Sequence, residues 1–160
     1  MGPATQAGVH HRGPAVRVVS ASPEGSDHRS LRAILDEARW QVAEASSPEE
    51  ARRAVDEGET PVLVLAADVS RSEWRALAKD LCHAPNRPRI VLAAHPAADN
   101  LWAEALDLDC FDVLPKPYAT EEVIRLIHLA SNHWLSERKR QDTNQRPARA
   151  AYRTVAGAAQ

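Results

Sequence analysis

Aromatic side chains are scarce: among 160 residues there are one phenylalanine, two tyrosines and four tryptophans. Cysteine is scarcer still, with only Cys82 and Cys110, far apart and each among apolar neighbours. Two thiols are too few for a disulfide framework or a zinc cluster, so the expectation is a pair of reduced, partly buried cysteines in a cytoplasmic protein. No apolar run approaches the roughly 18–20 residues of a membrane helix, which excludes a bilayer span. Residues 1–14 hold no apolar stretch to serve as a secretory signal, and Gln6 stands where a myristoylation signal after Met1-Gly2 needs Ser or Thr. Glycine is sparse and isolated, as at Gly25, Gly58 and Gly157, so there is no phosphate-binding loop and no dinucleotide fingerprint. The seven histidines form no ligand set: His128 and His133 are five apart, on different faces of any helix, and His10-His11 lies in a tail. Ser20 and Ser22 have no base arranged around them by motif. No resident metal or cofactor is expected.

What is present suits one soluble domain with tails. Hydrophobic residues make up 44% and charged residues 26%, while eleven prolines mark unstructured length. The net charge of −2 conceals an asymmetry. Between Glu137 and Arg153, Arg138, Lys139, Arg140, Arg146, Arg149 and Arg153 stand against Glu137 and Asp142, a balance of +4 that leaves the rest near −6. Six dispersed charges with one aromatic read as a solvated linker, and a regulator touching nucleic acid through this basic stretch is the alternative. Residues 1–14 and 142–160 are expected to be disordered, and 15–141 to fold.

Within the folded part, β-like runs and amphipathic helical patterns alternate five times, the signature of a parallel sheet with crossover helices. The strands are Val16–Val19, Gln41–Ala45, Val62–Leu65, Ile90–Leu92 and Phe111–Leu114, the third being the most apolar and therefore central. Leu31, Ile34, Leu35 and Ala38 mark the inner face of the first helix. Ser47-Pro48-Glu49-Glu50 forms a capping box for the second, which should stop near Gly58. A third helix spans about 72–81. The fourth carries Leu101, Trp102, Ala105 and Leu106, and the last, from about Thr120, turns Val123, Leu126, Ile127, Ala130 and Trp134 inward.

Phe111-Asp112-Val113-Leu114-Pro115-Lys116-Pro117-Tyr118, with acids at Glu121-Glu122, resembles the fifth strand and Lys-Pro signature of bacterial response regulator receiver domains. Trp40-Gln41-Val42-Ala43-Glu44-Ala45-Ser46-Ser47 is similar to that family's second strand, at the family's spacing. The resemblance covers about 15–136 and implies an α/β, flavodoxin-like (βα)5 doubly wound sheet of order 2-1-3-4-5, its site at the carboxyl ends of the strands. Receivers pass a phosphoryl group from a histidine kinase to an aspartate after the third strand. Two acids after the first strand help bind Mg²⁺, and a hydroxyl after the fourth and a lysine after the fifth meet the phosphoryl oxygens.

In this chain the acceptor position falls on Ala66, the acidic pair on Ser20 and Ala21, and the hydroxyl on Ala93. Only Lys116 matches. The resemblance therefore implies a degenerate receiver, or pseudo-receiver, without enzymatic activity, acting as a phosphorylation-independent protein-binding module in two-component signalling. The alternative acceptor is Asp68, two residues beyond Ala66, for a working phosphorelay. The loop into the first helix is about two residues longer than usual, which lets Glu24 or Asp27 fold back toward the pocket. Lys116 is expected to reach water or pair with Asp68 or Glu24, since an unpaired ammonium among alanines is costly. The family's partner surface, made by the fourth helix, fifth strand and fifth helix, would here present Trp102, Phe111 at the switch-aromatic position, Tyr118 and Trp134, to a protein partner or a second copy of the chain. For Trp134 core packing is the stronger reading.

Overall fold

The computed structural model describes residues 16–66, 71–84, 86–96 and 101–158, apart from the side chains of 71, 72, 101, 102, 104 and 146–158. Strands β1 (Arg17–Ala21), β2 (Gln41–Ala45), β3 (Val62–Ala66), β4 (Arg89–Ala94) and β5 (Asp112–Pro115) alternate with α1 (Gly25–Glu37), α2 (Pro48–Asp56), α3 (Arg71–Cys82), α4 (Leu101–Asp107) and α5 (Thr120–Ala158). All pairings are parallel and the order is β2-β1-β3-β4-β5. The expected doubly wound sheet is therefore present.

Helices on both faces remove water from the central strands, and for that reason every residue of β3 is buried. Alternation along each strand divides the core. Val19, Leu63, Leu65 and Leu92 point to α2, α3 and α4, where Trp74, Leu77, Leu81 and Leu108 meet them. Val18, Val62, Val64, Val91 and Leu114 point instead to Leu31 and Leu35 of α1 and Val123, Leu126 and Ile127 of α5. At roughly 25 cal/mol per Å² of apolar surface, these two layers dominate the stabilisation.

Local signals hold where they are chemical. Ser47 caps α2 by accepting from the Glu50 N–H at 3.2 Å, Glu50 accepts from the Ser46 N–H at 2.8 Å, and Pro48 occupies the first turn. Leu106 departs from its expected inward place and is 82% exposed. The buried positions are Ala105 and Leu108, three residues apart, which puts the intervening Leu106 outside their stripe. The last helix also departs from expectation. Its backbone stays helical through 142–158, across Pro147, where composition alone indicated a disordered tail. Five alanines and three arginines in this segment favour helix by intrinsic propensity, without needing an apolar stripe.

Candidate functional site

The carboxyl ends of the strands bring together the pocket positions read from the sequence. Ala66 is the last residue of β3 and lies beside Ala93 of β4. Ala93 is in turn opposite Leu114 of β5, and the Lys116 N–H donates to the Ala94 carbonyl at 2.9 Å. On the other side of β3, Ser20 and Ala21 pair with Val64 and Leu65. Ser20, Ala21, Ala66 and Ala93 are all at most 3% exposed, and they lie within strands rather than in the loops after them. Lys116 follows β5 and begins a cis Lys116–Pro117 peptide.

A hydrogen-bonded chain runs along this edge. Lys116 Nζ donates to Asp27 Oδ2 at 2.7 Å, and the side chains are 14% and 13% exposed. The same Asp27 oxygen accepts from Ser22 Oγ at 2.7 Å. Next to it, His28 Nε2 lies 3.0 Å from the Ser22 carbonyl and Nδ1 lies 2.8 Å from Ser20 Oγ. A carbonyl can only accept, so Nε2 carries a proton, and the Ser20 hydroxyl, which can donate or accept, satisfies Nδ1.

Among the described residues, Lys116 pairs with Asp27, which was expected near the pocket but not as its partner. Glu24 is exposed at the head of α1 and gives only its backbone N–H to Ser22 Oγ, at 3.1 Å. One turn into the helix the chain has folded back, and Asp27 meets the ammonium from there. Asp68 lies outside the described residues. The base beside Ser20, absent from any motif, is His28, but Ser20 and His28 are each 3% exposed. A nucleophile closed off from solvent has no path to a substrate, and the pair functions as buried polar packing. His28 was legible as the position three residues before Leu31 on the inner stripe of α1, where a histidine needs polar partners from the sheet.

Mg²⁺ does not fit the donors that the described residues place around the crevice. It needs near-octahedral oxygen coordination, whereas three of the positions around the crevice are methyl groups and the Asp27 carboxylate is already shared by Lys116 and Ser22. Among the described residues, no group of three or more His, Cys, Asp or Glu side chains is arranged to hold a metal ion.

The four residues expected on a partner surface are placed differently from one another. Trp134 is 4% exposed and belongs to the scaffold: its indole N–H points to the Asn86 carbonyl at 3.5 Å, and Arg138 stacks 5.1 Å from its ring centroid. Phe111 precedes β5, so it stands at the strand's amino end, away from Lys116, with its half-buried ring 5.5 Å from that of His133. Tyr118 is half-buried against the α1–α5 core layer. Trp102 lies on α4, its side chain outside the described set. Among the described residues, the large apolar side chains exposed are Leu106 on α4 and Leu129 and Leu135 on α5.

No protein-family model matches the chain, and no curated protein matches it in sequence. Solved structures do match in fold. The chain is similar to the signal receiver domain of an HD domain-containing protein from Pseudomonas fluorescens, with a TM-score of 0.72 and 18% identity over 83% of this chain and 98% of that one. A CheY-like receiver domain from Methanospirillum hungatei gives 0.67 and 13% over 77% and 98%. The chemotaxis response regulator CheY4 of Vibrio cholerae gives 0.64 and 14% over 72% and 98%. The fold is that of CheY-like response regulator receiver domains. At these identities the likeness speaks for architecture alone.

Proposed function

We propose that this chain is a pseudo-receiver: a receiver-fold module of two-component-type signalling that binds a protein partner without being phosphorylated on aspartate. The observation that carries this reading is a substitution of chemistry at one place. Where a receiver needs a nucleophilic carboxylate at the end of β3, Ala66 offers a methyl group, and the lysine that would neutralise phosphoryl oxygens is held by Asp27 at 2.7 Å. Phosphoryl transfer depends on positioning and charge neutralisation, with little else for the protein to contribute. Both are compromised here, by loss of the acceptor and by diversion of the cation.

A module that no longer switches by phosphorylation still presents a surface, and the exposed Leu106, Leu129 and Leu135 of α4 and α5 are its apolar contact candidates. The decisive experiment is incubation of the full chain with acetyl phosphate and Mg²⁺, followed by intact mass spectrometry. The expected result is no gain of a phosphoryl group. A stoichiometric acyl phosphate abolished by Asp68→Asn would instead establish a working phosphoacceptor and end the proposal.

A further inference from the structure

At the opposite end of the sheet, the amino ends of β4 and β5 border a cavity of about 240 Å³. Its walls combine Arg87, Arg89 and His133 with Pro88, Ile90 and Phe111, while Cys82, Cys110 and Asp109 complete the lining. The sequence gives no hint of it, because its parts come from the end of α3, the start of β4, the α4–β5 connection and the middle of α5.

Its charges do not cancel. Arg87 is committed to Asp109 at 2.8 Å and donates to the Cys82 carbonyl at 3.4 Å. Glu137, an acid facing Arg89 from α5, accepts from Arg140 at 3.2 Å. Arg89 is left as the surplus cation, and its Nε is buried without a hydrogen-bond partner. Buried guanidinium nitrogens are ordinarily satisfied, so Arg89 is an undersatisfied cation in the wall of this cavity.

We propose that this cavity binds a small monoanionic carboxylate with an apolar body, the carboxylate taken by the Arg89 guanidinium and the body packed against Phe111, Pro88 and Ile90. The planar Arg fork matches a carboxylate in two parallel hydrogen bonds. The volume lies below the roughly 300–1,000 Å³ of drug-sized pockets, which limits the occupant to about ten non-hydrogen atoms. One surplus positive charge favours a monoanion over a phosphate dianion. Burial first, then the neighbouring Arg87 charge, pushes the Arg89 guanidinium below its ordinary pKa, a cost that a bound anion would offset.

Benzoate is a suitable probe, with benzamide as its uncharged counterpart and inorganic phosphate as the competing anion. Titration of the ¹⁵N-labelled full chain, followed at the Arg89 Nε–H and the Cys110 and Phe111 amides, should saturate with a Kd of about 1 mM for benzoate. Benzamide and phosphate should bind at least about tenfold more weakly, and Arg89→Gln should abolish the benzoate shifts. Arg89→Lys, which keeps the charge but loses the fork, should weaken binding and carries the test if Arg89→Gln does not fold. Equal binding of benzamide would reduce the site to an apolar hollow. Equal or tighter phosphate binding, absence of saturation, shifts that persist in Arg89→Gln, or unweakened binding in Arg89→Lys would each overturn the proposal.

Discussion

Lys116 Nζ and Asp27 Oδ2 lie 2.7 Å apart, 89 residues distant in sequence, in an ion pair with each side chain largely withdrawn from solvent. The pair closes the crevice from the α1 side and joins the end of β5 to the first turn of α1. A lysine that composition would place at a pocket rim is thereby made part of the structure.

Breaking that pair from one side should destabilise the fold. Asp27→Asn or Lys116→Met each removes one charge of a partly buried ion pair, and urea denaturation should report a loss of about 2 kcal/mol, less than the 3–5 typical of a fully buried pair. The double variant Asp27→Asn/Lys116→Met should recover at least half of that loss. Single-variant losses below about 0.5 kcal/mol would mean that the pair behaves as an ordinary surface ion pair.

Restoring the acceptor alone should not restore chemistry. Ala66→Asp, checked for folding by circular dichroism, is expected to stay unmodified by acetyl phosphate and Mg²⁺, because the metal would still lack oxygen ligands from β1 and Asp27 would still hold Lys116. Rapid stoichiometric phosphorylation of this variant would show that the pocket had lost its nucleophile and nothing else.

Trp134 tests the division between scaffold and surface. Trp134→Ala should cost about 3–5 kcal/mol through the cavity it leaves, whereas Arg138→Ala, which removes a cation–π contact and the 2.5 Å pair with Glu59 at a partly exposed site, should cost under about 1 kcal/mol. Comparable losses for the two variants, measured by thermal and urea unfolding, would contradict this assignment.

Alkaline pH should expose the environment of Cys82. Burial and then the Asp109 charge raise its thiol above the ordinary value of 9.0, so the folded state holds the proton more tightly than the unfolded chain. Stability from this group is present below pH 9.0 and declines as pH climbs past it toward the folded value. The melting temperature should therefore fall between about pH 8 and about pH 10 by more in the wild type than in Cys82→Ala, each taken relative to its own value at pH 8. Identical profiles would place no titration at Cys82.

Much of this molecule was readable along the chain because the relevant interactions are local or periodic. Continuous apolar runs gave the buried strands, a period near 3.6 gave the inner faces of α1 and α5, and Ser47-Pro48-Glu49-Glu50 gave the start of α2. Identities at single positions were equally plain: a methyl group at Ala66 and at Ala93 is a fact of covalent chemistry, independent of folding. Leu106 and Trp134 were harder, since one residue of rotation around a helix exchanges core for solvent and only packing against neighbouring elements sets that rotation. Side-chain pairings between distant segments were legible only as candidates, Asp27 near the pocket among them. Which carboxylate meets Lys116, which base reaches Ser20, and that Arg89 shares a cavity with His133 and Phe111 depend on how the crossover helices seat on the sheet. Those contacts join residues far apart along the chain, and their geometry exists only once the hydrophobic layers have closed.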